Sequence, residues 1–524
     1  MATASADSSG PTGHVNLEIN GTPVEVLDDG RSLLEVLRSA GHVEVKDGCS
    51  PQGQCGCCTV LVDGAPRVSC VTPVRRVKGK SIVTVEGLAE ERRDLWAGAM
   101  CASGGSQCGF CTPGIICRLE AAAEKGADIS DRAVVDKALL GHACRCTGWQ
   151  TVHEAAIRVA STETTTEQRD LVAAAERARL EGGAVQTVSP NVALGHGGFA
   201  DDRAPSHSLV ALPQGDSWVV AESLSEARSL LGKVQGRRTT VPAEPPITLA
   251  DGRWDVTLRT CWVEPAYLEP DAVFCEPGGE PVGPLTNGGA FGGKLDGQMR
   301  VDARRLADEH AKPVRLLLDR EDVVRQGPKR PPLAIGVDTN MRGVLRVART
   351  PGVDDLVSGL ASGLAVQQVD LLGPPTSLSL RGAVRAEIEM VKAQISDDAE
   401  PTVLLTSGAW ARASVDDNAV NVVVHAGAAL DEIILRSYVI GAAHQALGFV
   451  RSESLAVDAE GEVQDLTIRS FGILRSVDTP KITVEIVPSD SDPVAASVAA
   501  YCAVAAAAWR DARYPPVVPV SAHG

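Results

Sequence analysis

Two groups of cysteines carry the chemistry that can be read first. The first runs Gly48-Cys49-Ser50-Pro51-Gln52-Gly53-Gln54-Cys55-Gly56-Cys57-Cys58 and is closed by Cys70. The second runs Gln107-Cys108-Gly109-Phe110-Cys111-Thr112-Pro113-Gly114 and is answered by Cys144-Arg145-Cys146-Thr147-Gly148-Trp149. Iron–sulfur clusters take four thiolates each, and the quartet Cys49, Cys55, Cys58 and Cys70 has the plant-type spacing with one extra residue in its first gap. Cys108, Cys111, Cys144 and Cys146 supply a second quartet. Structural zinc is the competing reading, because it also favours Cys-x2-Cys pairs. Zinc ribbons, however, pair two such knuckles, and Cys144 and Cys146 have a single residue between them. Cys57 stands beside Cys58, and adjacent side chains point apart, so only one can serve a given iron; the Cys-Gly-x-Cys spacing favours Cys58. Cys101, Cys117, Cys261, Cys275 and Cys502 read as small buried hydrophobes. The implied chemistry is the movement of electrons one at a time.

The elements around the first quartet read as β-rich. Asn20-Gly21 and Asp63-Gly64 are hairpin turns between short alternating strands. Ser32 is an N-cap for a helix over 32–39, and 81–85 reads as a further strand. From about Glu90 the pattern becomes helical. Pro113 opens a helix that stops at Gly126, Ser130 caps one reaching Leu140, and 148–160 offers another. That order brings four thiolates to one end of a helical bundle. Thr162 to Gln168 is polar and starts a linker, with a short helix at 171–181 to follow.

At 524 residues the chain is too long for one core, and its 44% hydrophobic and 22% charged residues are those of a globular protein. A formal net charge of -17 argues against nucleic acid or an anionic membrane as partner. No apolar run reads as membrane-spanning, and the amino terminus lacks the apolar stretch of a signal peptide. Fourteen cysteines without an export signal point to a reducing compartment, the cytoplasm.

The stretches Gly105 to Gly114 and Cys144 to Trp149 closely resemble the iron–sulfur subunit of the xanthine dehydrogenase/aldehyde oxidase family of molybdenum hydroxylases. The resemblance implies an α+β multidomain fold: a β-grasp ferredoxin-like domain, a four-helix [2Fe-2S] bundle, then a mixed α/β molybdenum-subunit-like region. It implies that Cys108, Cys111, Cys144 and Cys146 hold the cluster nearer a molybdopterin, and that Cys49, Cys55, Cys58 and Cys70 hold the one nearer the next acceptor. Gln107 matches the family glutamine that reaches the pterin; a loop-stabilising amide is the equal alternative.

Farther on, Thr286-Asn287-Gly288-Gly289-Ala290-Phe291-Gly292-Gly293-Lys294 nearly satisfies a P-loop, but Leu295 stands where a hydroxyl belongs and no buried strand is evident upstream. The segment resembles the glycine loop of the family's molybdenum subunit, which marks Gly289, Phe291 and Gly292 as cofactor contacts. Leu295 replaces an acidic residue of some members. The carboxy-terminal general base of the family has no counterpart, the matching stretch being Ser489-Asp490-Ser491-Asp492. Asp490 or Asp492 could stand in, with exposed loop residues as the commoner reading. The expected division is a flexible tail (1–13), a ferredoxin-like domain (14–88), a helical [2Fe-2S] domain (89–161), a linker (162–190), a remnant small α/β domain (191–250) and a degenerate molybdopterin-binding-like domain (251–524). The expected role is an electron-transfer subunit with two [2Fe-2S] clusters. Its partners would be a catalytic molybdopterin-binding large subunit and a FAD subunit or other carrier. A self-contained hydroxylase and a zinc- or cluster-binding scaffold are the alternatives.

Overall fold

The computed structural model describes residues 13–162, 169–234, 236, 241–283, 289–294, 297–416 and 418–520. The expected tail, apart from Gly13, and the polar run at 163–168 lie outside these residues.

The amino-terminal sheet is built from strands His14–Ile19, Thr22–Leu27, Thr59–Val62, Ala65–Val68 and Ser81–Val83. Alternation in the first strand turns Val15, Leu17 and Ile19 inward. Asn20 and Gly21 both take positive φ (49° and 80°), as do Asp63 and Gly64 (48° and 72°), so both hairpins close as their turn residues require. The helix Leu33–Ser39 packs Leu33, Leu34, Val36 and Leu37 against this sheet side. Its start is a capping box: the Glu35 N–H donates to the Ser32 hydroxyl (3.3 Å), and the Ser32 N–H donates to the Glu35 carboxylate (3.1 Å).

Four helices follow: Glu90–Ser103, Thr112–Glu124, Arg132–Ala138 and Gln150–Ala160. The third is capped by Asp131, not Ser130. Asp131 accepts from the Ala133 N–H (2.9 Å), whereas the Ser130 hydroxyl is spent on Asp128 (2.5 Å). It also ends before Leu140, where 139–141 tightens into a 3₁₀ turn. The helix Leu171–Gly182, in the expected linker, is docked through Arg177, which is fully buried and donates to the carbonyls of Ala426, Ala428 and Ala429.

The rest of the chain forms three sheets. One pairs Leu209–Gln214 and Ser217–Ala221 with Val314–Leu317 and Ala272–Cys275, so strands on both sides of the expected boundary at 250 share one sheet. A second holds Val256–Thr260, Leu333–Val337, Gly343–Ala348, Leu364–Val369 and Val517–Val518. A third holds Thr402–Leu404, Trp410–Val415, Ala419–His425 and Lys481–Ile486. Helices Arg385–Ser396, Glu432–Arg451 and Ser497–Asp511 fill a shared alanine-rich core. Two sequence expectations need correction here. Ala272–Cys275 is a fully buried strand upstream of the glycine loop, made so by its pairing with Val314–Leu317, a partner forty residues away in sequence. Glu432–Arg451 is long and apolar enough to cross a membrane, yet 89% of its most apolar stretch is buried inside the protein, as in a core helix.

Candidate iron–sulfur centres

The loop between the first helix and the strand Thr59–Val62 gathers Cys49, Cys55 and Cys58, and the end of the next strand delivers Cys70. All four are at most 4% exposed. Gly53 and Gly56 take positive φ (70° and 76°), which lets the loop fold back on itself. Backbone amides then point at sulfur: the Gln52 and Gln54 N–H groups donate to Cys49 Sγ (3.2 and 3.5 Å), and the Cys70 N–H donates to Cys58 Sγ (3.5 Å). The Cys49 thiol lies against Cys55 and Cys70, and Cys70 lies against Cys58. The Cys57 thiol lies against Cys55, and Cys49, Cys58 and Cys144 act on it only through their charge.

The second group lies at the head of the helix Thr112–Glu124 and in the turn before Gln150–Ala160. Its sulfurs come in two pairs, Cys108 with Cys146 (Sγ to Sγ 3.5 Å) and Cys111 with Cys144. Two pairs are what a two-iron centre needs, with two thiolates for each iron.

Electrostatics also call for a cationic guest. Hydrogen bonds from Cys55 and Cys70 pull the Cys49 thiol well below its usual range, and one from Cys111 brings Cys144 down to about 6. Their partners Cys55, Cys70 and Cys111 are pushed well up by those same contacts and by burial, and Cys146 is pushed up by its contact with Cys108 and by burial. Four thiolates together require metal charge to neutralise them, so the donor set fits an iron–sulfur cluster at both places. The other cysteines behave otherwise. Burial pushes the Cys117 and Cys261 thiols up to about 12 and raises Cys502, while Cys101 is only half-buried.

The two groups touch. The Ala143 N–H, one residue before Cys144, donates to the Cys55 carbonyl (2.9 Å). A Cβ on Gly114 would stand 2.3 Å from the Gly56 carbonyl oxygen, so the second helix abuts the first cysteine loop directly. His142 fills the remaining gap; burial brings its imidazole down to about 4, leaving it neutral with Nε2 near the Gly114 carbonyl (3.3 Å). Neither Ala143 nor His142 stands out in the sequence, because their role depends on a contact between loops about ninety residues apart.

Gln107 takes φ 41° and spends its amide donors on the carbonyls of Cys146 (2.9 Å) and Ser437 (3.0 Å) and on the Ser437 hydroxyl. Its Oε1 is buried without a partner among the described residues. The glycine loop is described from Gly289 to Lys294; Thr286, Gly288 and Leu295 lie outside. Gly289 packs on Arg145 and Cys146, and a Cβ on Gly292 would stand 1.9 Å from the Ser379 carbonyl oxygen. Phe291 carries the Arg381 guanidinium on its face, 3.5 Å from the ring centroid. The cavity beside it, about 40 Å³, is bordered by Arg145, Glu264, Arg330, Arg381 and Glu453. Its carboxylates are engaged: both Glu453 oxygens by Arg145, and Glu264 by Lys329 (2.9 Å). The described part of this loop, Gly289 to Lys294, is therefore packed on protein rather than opened as a cradle, a poor fit for molybdopterin. Asp490 and Asp492 are exposed on the surface.

Comparison with known proteins bears on these centres directly. Residues 17–81 match the 2Fe-2S iron-sulfur cluster binding domain, and residues 84–157 match the [2Fe-2S] binding domain. The nicotinate dehydrogenase small FeS subunit of Eubacterium barkeri is 37% identical over 149 residues, which are 28% of this chain and 93% of that protein. The chain belongs to the molybdenum hydroxylase family. The xanthine dehydrogenase of Emericella nidulans is 37% identical over 155 residues, 27% of this chain but only 11% of that longer protein. Beyond the iron–sulfur part the likeness is one of fold. The aldehyde oxidoreductase of Desulfovibrio desulfuricans superposes with a TM-score of 0.67 at 14% identity, covering 94% of this chain and 97% of that one. This molybdenum hydroxylase chain is thus an oxidoreductase subunit with two [2Fe-2S] domains and an α+β multidomain fold.

Proposed function

We propose that this chain relays electrons from a molybdopterin site on a catalytic partner chain to a flavin subunit or another carrier. The partner would oxidise an aldehyde or N-heterocycle, and the complex would work in the cytoplasm. Bound at the two quartets, a [2Fe-2S] cluster accepts and releases one electron at a time. Cys108, Cys111, Cys144 and Cys146 hold the entry centre, and Cys49, Cys55, Cys58 and Cys70 hold the exit centre. The observation that carries this reading is the Ala143–Cys55 hydrogen bond. From the ligand Cys144 it takes one residue of backbone and one hydrogen bond to reach the ligand Cys55. His142, neutral and buried, keeps water out of that junction, and Gly114 lets the two loops close on it. Gln107 fixes the entry loop to the helix Glu432–Arg451 and keeps Oε1 free for a donor on the pterin side.

The region after residue 190 supports docking rather than turnover. The carboxylates beside Phe291 are clamped by cations, and a general base has to be free to take a proton. The deciding experiment is purification of the chain alone and with its native partners, followed by metal analysis. Alone, it should contain iron and acid-labile sulfide in equal amounts, give dithionite-reduced EPR signals, hold no molybdenum and turn over no substrate. Stoichiometric molybdenum with turnover by the isolated chain defeats the proposal.

A further inference from the structure

The sequence places Arg320 far from either cysteine group, yet the fold brings it to the first. Its side chain is fully buried at the head of the helix Arg320–Gln326. One terminal nitrogen donates to the Gly48 carbonyl (2.6 Å) and to the Leu268 carbonyl (3.1 Å). Gly48 immediately precedes Cys49, and the position of a Cβ on it would lie 3.1 Å from Cys55 Sγ and 3.0 Å from Cys57 Sγ. The guanidinium therefore sits one backbone carbonyl away from the first sulfur cage. Its Nε and other terminal nitrogen have no partner among the described residues.

A buried guanidinium is expected to have a carboxylate, and none is in ion-pair contact with Arg320 among the described residues. The surrounding acids are committed elsewhere. Asp319 and Glu321 are taken by Arg228, Asp322 by Lys233 (2.5 Å), Glu264 by Lys329 (2.9 Å) and Glu269 by Lys294 (2.6 Å). Asp271 acts on Arg320 through its charge without an ion pair; its carboxylate accepts the Tyr267 hydroxyl (3.0 Å) and faces Lys294 (3.7 Å), while the guanidinium lies over the Tyr267 ring, 5.9 Å from its centroid. A buried charge left this way costs the fold heavily unless something of opposite sign completes it. Four thiolates and two sulfides outweigh two ferric ions, so an occupied first cage is an anion, and it gains one more negative charge on reduction.

We infer that Arg320 is the countercharge of the first cluster, a positioning residue that favours its reduced state and so ties the potential of the exit centre to the carboxy-terminal region. The electron it helps to hold arrives from the second cluster and leaves to the acceptor; no bond is made or broken at Arg320. The inference rests on the reading that Cys49, Cys55, Cys58 and Cys70 hold a cluster.

An EPR-monitored redox titration of the full chain tests it, with the first-cluster signal assigned by its perturbation in Cys70→Ser. In Arg320→Met the midpoint of the first cluster should fall by about 59 mV or more, a tenfold change in a one-electron equilibrium. The second cluster should keep its midpoint. Arg320→Lys retains the charge and should stay near wild type. If Arg320→Met does not load the first cluster, Arg320→Gln, which keeps a donor for the Gly48 carbonyl, carries the same expectation. An unmoved first midpoint in a fully loaded neutral variant, or an equal drop at both clusters, overturns the inference. Absence of any first-cluster signal in the wild-type chain instead defeats the cluster reading itself.

Discussion

The two adjacent cysteines at 57 and 58 are chemically equivalent in isolation, and only their surroundings separate them. Cys58 Sγ accepts the Cys70 N–H, and its thiol meets Cys70, whereas the Cys57 thiol meets Cys55. Cys58→Ala should abolish the first cluster and halve the iron content, while Cys57→Ala should retain both clusters; iron and sulfide analysis with EPR decides it. Buried imidazoles make a second residue-level prediction. His444 donates from Nε2 to the Leu474 carbonyl (3.1 Å), and burial holds it down to about 4 against an ordinary 6.5. His153 is also brought down to about 4, burial outweighing Asp136. A depressed histidine pKa means the unfolded chain binds the proton more readily, so stability is fully present above about 6.5 and is lost as pH falls toward about 4. For fully buried His444 the loss is on the order of 3 kcal/mol. Urea titrations at pH 7 and pH 4.5 should show that loss, and His444→Gln should reduce it while leaving the His153 share. The cysteine quartets were legible because ligand spacing is local and covalent. Arg320, Glu453 and Ser437 were not, since each meets its cluster loop across hundreds of residues of chain.

Elements rather than residues set how closely the two centres approach. The helix Thr112–Glu124 can abut the first cysteine loop only because Gly114 has no side chain, with a Cβ due 2.3 Å from the Gly56 carbonyl oxygen and 2.9 Å from that of Cys57. Neither is the movable tip of a side chain, so Gly114→Ala must push helix and loop apart, at a cost of about 1–3 kcal/mol. The denaturation midpoint should fall accordingly. The magnetic interaction between the two reduced clusters, read from EPR line splitting, should weaken as their separation grows. Gly98 is the control: it lies inside the helix Glu90–Ser103 with nothing within 4 Å of its Cβ position, so Gly98→Ala should stabilise by about 0.5–1 kcal/mol and leave the splitting unchanged. The turn chemistry of Asn20-Gly21 and Asp63-Gly64 made both hairpins readable, and proline and glycine punctuation made the bundle helices readable. Helix caps were readable only to within a residue, because Asp128 captured Ser130 and left Asp131 to cap. The strand Ala272–Cys275 escaped notice because its partner is remote in sequence.

At the scale of the whole molecule, composition and charge indicated several globular units but not how they are held together. The seam between the iron–sulfur part and the later region is buried and polar. Arg145, between two cluster ligands, is clamped by Glu453, and its carbonyl accepts from Gln445 (2.7 Å). Trp149 donates to the Leu474 carbonyl (3.2 Å), Ser437 to the Gly104 carbonyl (2.7 Å), and His153 pairs with Ser476 (2.9 Å). A Cβ on Gly441 would lie 1.9 Å from the Cys146 carbonyl oxygen, so the helix Glu432–Arg451 is itself the lid of the second cage. A fragment of residues 13–162 spans both cluster domains, and the sheet and bundle keep their own apolar contacts within it. It should therefore fold and take up both clusters, but without the lid. Removing the lid exposes the Cys146 side of the second cage, and removing Glu453 leaves Arg145 unpaired beside it. Iron should then leave the second centre to a chelator at least tenfold faster than in the full chain, with a smaller change at the first, whose four cysteines are enclosed mainly by their own loop and sheet. Chelator-linked bleaching followed by visible absorbance and EPR measures both rates. Equal rates at the second centre in fragment and full chain would show that the carboxy-terminal region does not shield it.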